Sequence, residues 1–184
     1  MKKMVKRATA LLFVVALVLS MMLIPASAVK RPSTPSGSES QVIYIHSALN
    51  PAKVVDVNGN STKNGTKIQL WNQSKSDKAV KFALRYAGNG WYYIMKYGTN
   101  KCLDVTGGAR KSGVNVQLYD WNGTDAQKWR IESRGDGDYN YLKNALGYYL
   151  DAKNGSSSNG TQIWVYSYNG TNAQRWYVTP DWKM

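Results

Sequence analysis

The chain has 184 residues, with 24 Lys and Arg against 11 Asp and Glu, one Cys and one His. A single cysteine excludes an internal disulfide, and a single histidine leaves a Ser/His/Asp triad or a histidine-rich metal site without partners. The basic excess suits acidic partners, yet after residue 28 no run of Lys and Arg exceeds two, which is the pattern of a solvated basic surface.

Residues 1–28 read as an export signal. Lys2, Lys3, Lys6 and Arg7 precede the 15-residue apolar run ALLFVVALVLSMMLI, and Ala26-Ser27-Ala28 follows where a signal peptidase cuts. The run is shorter than the roughly 18 to 20 residues that a spanning helix needs, which disfavours an uncleaved anchor. Cleavage before Val29 removes four of the 24 basic residues and none of the 11 acidic ones, leaving a net charge of +9. Secretion and an extracellular location are therefore expected, with no membrane association after cleavage. Residues 29–40 include KRPSTPSGSES, with little to bury, which is the composition of a spacer. Folding is expected to begin at Gln41, and residues 41–180 suffice for one domain with its own core.

From Gln41 the chain writes one unit three times. The first, 41–86, runs YIHS from Tyr44, VVDV around Asp56, IQLW from Ile68 and VKFAL around Phe82. The second, 87–134, runs YIMK from Tyr93, CLDV around Asp104, VQLY from Val116 and QKWRI around Trp129. The third, 135–180, runs YLKN from Tyr141, YLDA around Asp151, IWVY from Ile163 and QRWYV around Trp176. The Asp residues stand 48 and 47 apart, the closing aromatics 47 and 47, and NGTDAQKW at 122–129 returns as NGTNAQRW at 169–176. Such a period marks a repeat architecture.

Apolar and polar residues alternate over four to six positions in these segments, and no sustained helical period follows the signal. Asn58-Gly59, Asn64-Gly65, Gly107-Gly108, Ser112-Gly113, Asn154-Gly155 and Asn159-Gly160 supply residues that accept the positive φ of tight turns. The expected fold class is all-β, with about four strands per unit. Three units are too few for the ring of a propeller, whereas a barrel of pseudo-threefold symmetry capped by three hairpins leaves no free edge. The architecture implied is a β-trefoil. Its expected core is Val55, Leu103 and Leu150; Ile68, Val116 and Ile163; Leu70, Leu118 and Val165; Phe82, Trp129 and Trp176; and Leu84, Ile131 and Val178.

Three repeats of this length, each with an x-L-D-V element, a Q-L-aromatic strand and a closing Q-x-W, resemble the ricin B-type lectin domain, which also occurs as a carbohydrate-binding module on glycanases. The resemblance covers Gln41 to about Pro180. It implies a non-catalytic lectin with up to three shallow sugar pockets, one per unit, and no cofactor. The residue types suit sugar binding, since a sugar offers an apolar face to a flat ring and a rim of hydroxyls to fixed donors and acceptors. An ionised Asp accepts two hydroxyl protons in charge-assisted bonds.

The second unit carries the fullest implied set: Asp104 as acceptor, Tyr119 as platform, and Gln117 and Gln127 as amides that orient Asp104 or touch the ligand. Ala126 stands where many family members carry Asn, with Asn122 and Asp125 nearby. In the third unit Asp151, Tyr166 and Gln174 match, and Trp164 replaces the strand Gln, either as a second aromatic wall or packed outward; Asn172 is a further polar candidate. The first unit keeps Asp56, Gln69 and Trp71, but Val80 replaces the closing Gln and Phe82 the Trp, and loss of the orienting amide weakens the site; a working first site stands beside a reduced or purely structural one. Each L-D-V Asp has an alternative reading as a hydrogen-bond partner of its own turn. The aromatic 15 residues beyond each Asp, in Asp56/Trp71, Asp104/Tyr119 and Asp151/Tyr166, speaks for the sugar site.

Other chemistry lacks parts. A glycosidase needs two carboxyl groups about 5 to 9.5 Å apart, and the best-spaced Asp residues here belong to separate lobes. Asp136-Gly137-Asp138-Tyr139-Asn140 begins like a calcium loop, but its twelfth position is Gly147, not Glu, so it reads as an inter-repeat turn. No nucleic-acid partner is expected, and a glycan or polysaccharide is. The alternatives are a basic polyanion binder, whose affinity would collapse with salt, and a trefoil protease inhibitor. Cys102 reads as a small buried thiol or, less simply, as half of an intermolecular bridge.

Overall fold

The computed structural model describes residues 41–180 except residue 136; the expected export signal, the spacer and Asp136 of the calcium-like turn lie outside the described residues. Among the described residues there are twelve strands: β1 Tyr44–Ser47, β2 Asn50–Val57, β3 Thr66–Asn72, β4 Phe82–Gly88, β5 Trp91–Lys96, β6 Lys101–Val105, β7 Val114–Asp120, β8 Lys128–Ser133, β9 Asn140–Asn144, β10 Tyr149–Ala152, β11 Ile163–Tyr166 and β12 Trp176–Thr179. Each repeat contributes four, and the only helical segments among the described residues are single 3-10 turns.

Six strands form the barrel. β1 pairs with β12, β12 with β9, β9 with β8, β8 with β5 and β5 with β4, all antiparallel. The circle closes where Ile43 and Phe82 exchange backbone hydrogen bonds of 2.8 and 3.1 Å. The other six strands make three hairpins, β2–β3, β6–β7 and β10–β11, which pair Val55 with Leu70, Leu103 with Leu118 and Leu150 with Val165. This is a β-trefoil.

The hairpins are knit into a ring by their turns. The N–H groups of Gly65, Gly113 and Gly160 donate to Leu118 O, Val165 O and Leu70 O of the neighbouring repeat at 2.9, 2.8 and 2.9 Å. Those glycines have φ of +80°, +82° and +81°, a region that side chains resist, so the turn sequence and the docking contact are one requirement.

The interior holds the expected layers. Val55, Leu103, Leu150, Ile68, Ile163, Leu70, Leu118, Val165, Phe82, Trp129 and Trp176 have no exposed surface, and Val116 almost none. Trp129 and Trp176 also satisfy their indole N–H groups by donating to Leu103 O and Leu150 O at 3.2 and 3.1 Å, which ties a barrel strand to a hairpin strand of the same repeat. Leu84, Ile131 and Val178 are only half-buried against this core, a correction to the expected layers. Each lies two residues beyond a closing aromatic on the same strand face, at the barrel end away from the hairpins. Their cross-strand partners Ile94, Leu142 and Ile45 take the interior position instead.

Candidate functional site

Asp104 lies directly across the β6–β7 hairpin from Gln117, and Tyr119 follows two residues on, so all three share the face opposite the core residues Val116 and Leu118. Gln117 Nε2 donates to Asp104 Oδ1 at 2.9 Å and Gln127 Nε2 to Oδ2 at 3.1 Å. Asp104 is 5% exposed, Tyr119 37%. Both line a hollow of about 470 Å³ together with Gly108, Arg110, Asn122, Asp125 and Leu146. A buried, oriented acceptor at the floor and a flat ring at the rim can hold hydroxyls and an apolar sugar face together.

Gln127 itself is fully buried. Its Oε1 accepts from Asn122 N and Gly123 N at 2.8 and 3.2 Å, and its Nε2 also donates to Asp120 O at 2.8 Å. The closing Gln thus fastens the NGT turn to the floor of the hollow. It orients Asp104 and does not face the ligand space, and Gln174, equally buried, takes the same position in the third repeat. Asn122 and Asn169 spend their side chains on Thr124 and Thr171, so the repeated N-G-T is turn chemistry.

The third hollow, about 450 Å³, is lined by Asp151, Trp164, Tyr166, Asn172, Asn154 and Leu49 among others. Trp164 neither packs away nor acts only as a wall: its indole N–H donates to Asp151 Oδ1 at 2.6 Å, the bond that Gln117 makes to Asp104. Its ring lies 5.5 Å from that of Tyr166 at 31°, giving two neighbouring aromatic surfaces. One substitution therefore preserves the donor and widens the apolar face.

In the first repeat Gln69 Nε2 donates to Asp56 Oδ1 at 2.9 Å, and Trp71 is 41% exposed. The second amide is missing, because Val80 is buried against Tyr44 and Val54. Lys96 supplies charge instead. It is 3% exposed, and its Nζ donates to Asn60 Oδ1 at 2.6 Å and Lys78 O at 3.3 Å. Burial lowers its pKa, and the Asp77 and Asp56 carboxylates act against that.

Burial pushes Asp56, Asp104 and Asp151 above the usual carboxylate range. The donors from Gln69, from Gln117 and Gln127, and from Trp164 and Gln174 respectively pull the other way. All three carboxylates are thus held by fixed side-chain donors at positions where water is largely excluded, the condition under which each such bond counts most.

A family model for a ricin-type beta-trefoil lectin domain-like unit matches residues 78–163 and, overlapping, 125–183, more than half of the chain. The chain belongs to this ricin-type lectin-like family. No curated protein matches its sequence. Among solved structures, the ricin-type chain is 28% identical to ThreeFoil, a designed 3-fold symmetric protein, over 76% of this chain and 98% of that one, with a TM-score of 0.71. It is 25% identical to an exo-beta-1,3-galactanase from Clostridium thermocellum with a TM-score of 0.69, covering 76% of this chain but only 30% of the enzyme. An agglutinin from Abrus precatorius, 24% identical with a TM-score of 0.63, shares the fold over 81% of this chain and 52% of its own.

Sequence reasoning missed Leu49, Leu146 and Gly108, which border the hollows, and the buried Lys96 that bonds Asn60 of the first repeat. Aligning the ends of YIHS, YIMK and YLKN was the available signal: it puts Ser47, Lys96 and Asn144, all buried, at one position and Leu49, Gly98 and Leu146 at another.

Proposed function

We infer that this is a non-catalytic carbohydrate-binding protein, acting outside the cell on a polysaccharide through the hollows at Asp104 and Asp151. The observation that carries the reading is the pairing, twice over, of a buried carboxylate fixed by side-chain donors with an exposed aromatic in one open hollow. Family membership supports it, and the apolar segment at 10–24 with its flanking charges supports export. A single shallow site of this kind binds at roughly millimolar, about 4 kcal/mol, and two sites on one polymer gain further by raising the effective concentration of the second.

The test is a glycan array with wild type, Asp104→Ala and Asp151→Ala at low and high salt, with β-1,3-galactan oligosaccharides as the first arm because of the galactanase neighbour. Neutral-glycan binding that persists in salt and weakens in each variant is the expected result. Binding undiminished in both variants overturns the assignment of the hollows.

A further inference from the structure

The two hollows that pair a buried carboxylate with an exposed ring differ at their rims. Arg110 and Asp125 line the Asp104 hollow, whereas the Asp151 hollow has Asn172 in the place of Asp125 and no basic residue in its lining. Arg110 lies six residues after Asp104, and the residues six after Asp151 and Asp56 are Ser157 and Thr62. Lys153, with its Nζ 5.3 Å from the centre of the Trp164 ring, stands outside the lining of the third hollow.

Arg110 is anchored by its backbone and unspent at its head. Tyr148 donates its hydroxyl to Arg110 O at 2.9 Å, and it lies in the same turn between β9 and β10 that brings Leu146 to the hollow. Among the described residues the guanidinium makes no hydrogen bond: its Nη2 stands 3.8 Å from Asp125 Oδ2, an ion pair too long to be one. Asp125 meanwhile accepts from Lys128 Nζ at 3.0 Å through its other oxygen. Two cations thus share one carboxylate, and the rim stays positive. Arg110 is an outer residue, its side chain 63% exposed, while Asp104 at the floor is 5% exposed and engaged by Gln117 and Gln127.

We propose that Arg110 makes the Asp104 hollow selective for a sugar unit that bears a carboxylate, a uronic acid, and that the Asp151 hollow lacks this preference. The proposal rests on the glycan-binding reading of the Asp104 hollow and adds to it the class of sugar preferred. Ring hydroxyls meet Asp104, the apolar sugar face meets Tyr119, and the sugar carboxylate turns outward to Arg110. All three protein groups line the same hollow of about 470 Å³. Turning the ligand's charge to the exposed rim also keeps it away from the Asp104 carboxylate. A guanidinium presents paired N–H donors that match the two oxygens of a carboxylate, a fit that a hydroxymethyl group or an ester does not offer. Selectivity of this kind is a difference between two affinities, so it is read as a ratio.

The experiment isolates each hollow, Asp151→Ala leaving the second and Asp104→Ala the third, with the first repeat common to both. Each variant is titrated by NMR with the methyl glycosides of glucose, galactose and mannose, each beside its uronate and the methyl ester of that uronate. In Asp151→Ala at least one uronate should bind about fivefold or more tightly than both its parent and its ester, whereas in Asp104→Ala the ratio should stay within about twofold. Arg110→Gln added to Asp151→Ala should bring the ratio to about one, Arg110→Lys should restore part of it, and thermal melts report that each variant is folded. Asp125→Asn in the same background should raise the ratio, because the ligand no longer competes with Asp125 for the guanidinium; an ion pair of purely structural use predicts no such rise. Equal ratios in the two single-hollow variants, or a ratio indifferent to Arg110→Gln, overturn the proposal. Neutral binding without any uronate preference leaves the glycan reading standing and removes only this one, while wild type that binds none of the nine glycosides removes both.

Discussion

The first and second repeats share a scaffold and solve two local problems differently. Both set an Asp across a hairpin from a Gln, at 2.9 Å in each case. The second then closes with Gln127 and Trp129, whereas the first closes with Val80 and Phe82. Phe82 fills the core as completely as Trp129 does, and only the indole bond to the hairpin carbonyl is given up. The lost amide is another matter, because a buried carboxylate needs a stabilising partner, and here the Lys96 charge acts against the burial that raises the Asp56 pKa. Packing accepts a substitute of similar shape; a buried charge accepts only another group that answers it.

The largest expected effect breaks the common scaffold: Trp129→Ala should cost about 4 kcal/mol of stability and Phe82→Ala about 3, both read from urea unfolding midpoints. Making the second repeat resemble the first is gentler. Trp129→Phe keeps most of the volume but strands Leu103 O, for a loss of about 1 to 2 kcal/mol in the same assay. For the hollows, Asp104→Ala should weaken neutral-glycan binding at least about tenfold, about 1.4 kcal/mol, whereas Asp56→Ala should leave that affinity within about twofold. Calorimetric titration of each variant separates them.

Acid provides the next contrast. The carboxyls of Asp104 and Asp151 titrate above the usual carboxylate range because of burial, so the ionised acceptor disappears while solvated Asp residues still carry charge. Neutral-glycan affinity should fall through that window. Their folded pKa exceeds the unfolded one, so the stabilisation they confer is present below the unfolded value and lost as pH rises through the folded value. Affinity and this share of stability therefore move in opposite directions on acidification, which paired binding and melting curves between about pH 7 and about pH 4 would record. The smallest effect concerns Cys102, fully buried with its thiol pushed up to about 12, chiefly by burial. It should resist alkylation in the folded protein and react on unfolding, which speaks against an intermolecular bridge in the native state.

Much of this was legible beforehand for a physical reason. Strand alternation, hairpin turns and interior layers are local or periodic, so the spacing of Asp56, Asp104 and Asp151 and of Phe82, Trp129 and Trp176 carried them. Leu84, Ile131 and Val178 show where periodicity stops informing: alternation gives the face of a strand but not whether that end of the barrel is covered. Trp164 shows the limit of residue type, since its indole N–H replaces an amide only by virtue of where the ring is aimed. Lys96 is the hardest case. A lysine at a strand end reads as solvated, and its burial depends on Asn60 and Lys78, which belong to a different repeat.

The turn contacts of Gly65, Gly113 and Gly160 run in one rotational sense, each repeat grasping the next. A peptide of one repeat length would carry one hand to give and one to take, with neither engaged. It has no closed structure as a monomer, and three identical copies can complete the same circle, so a gene fragment encoding a single unit is a route to a self-assembling homotrimer.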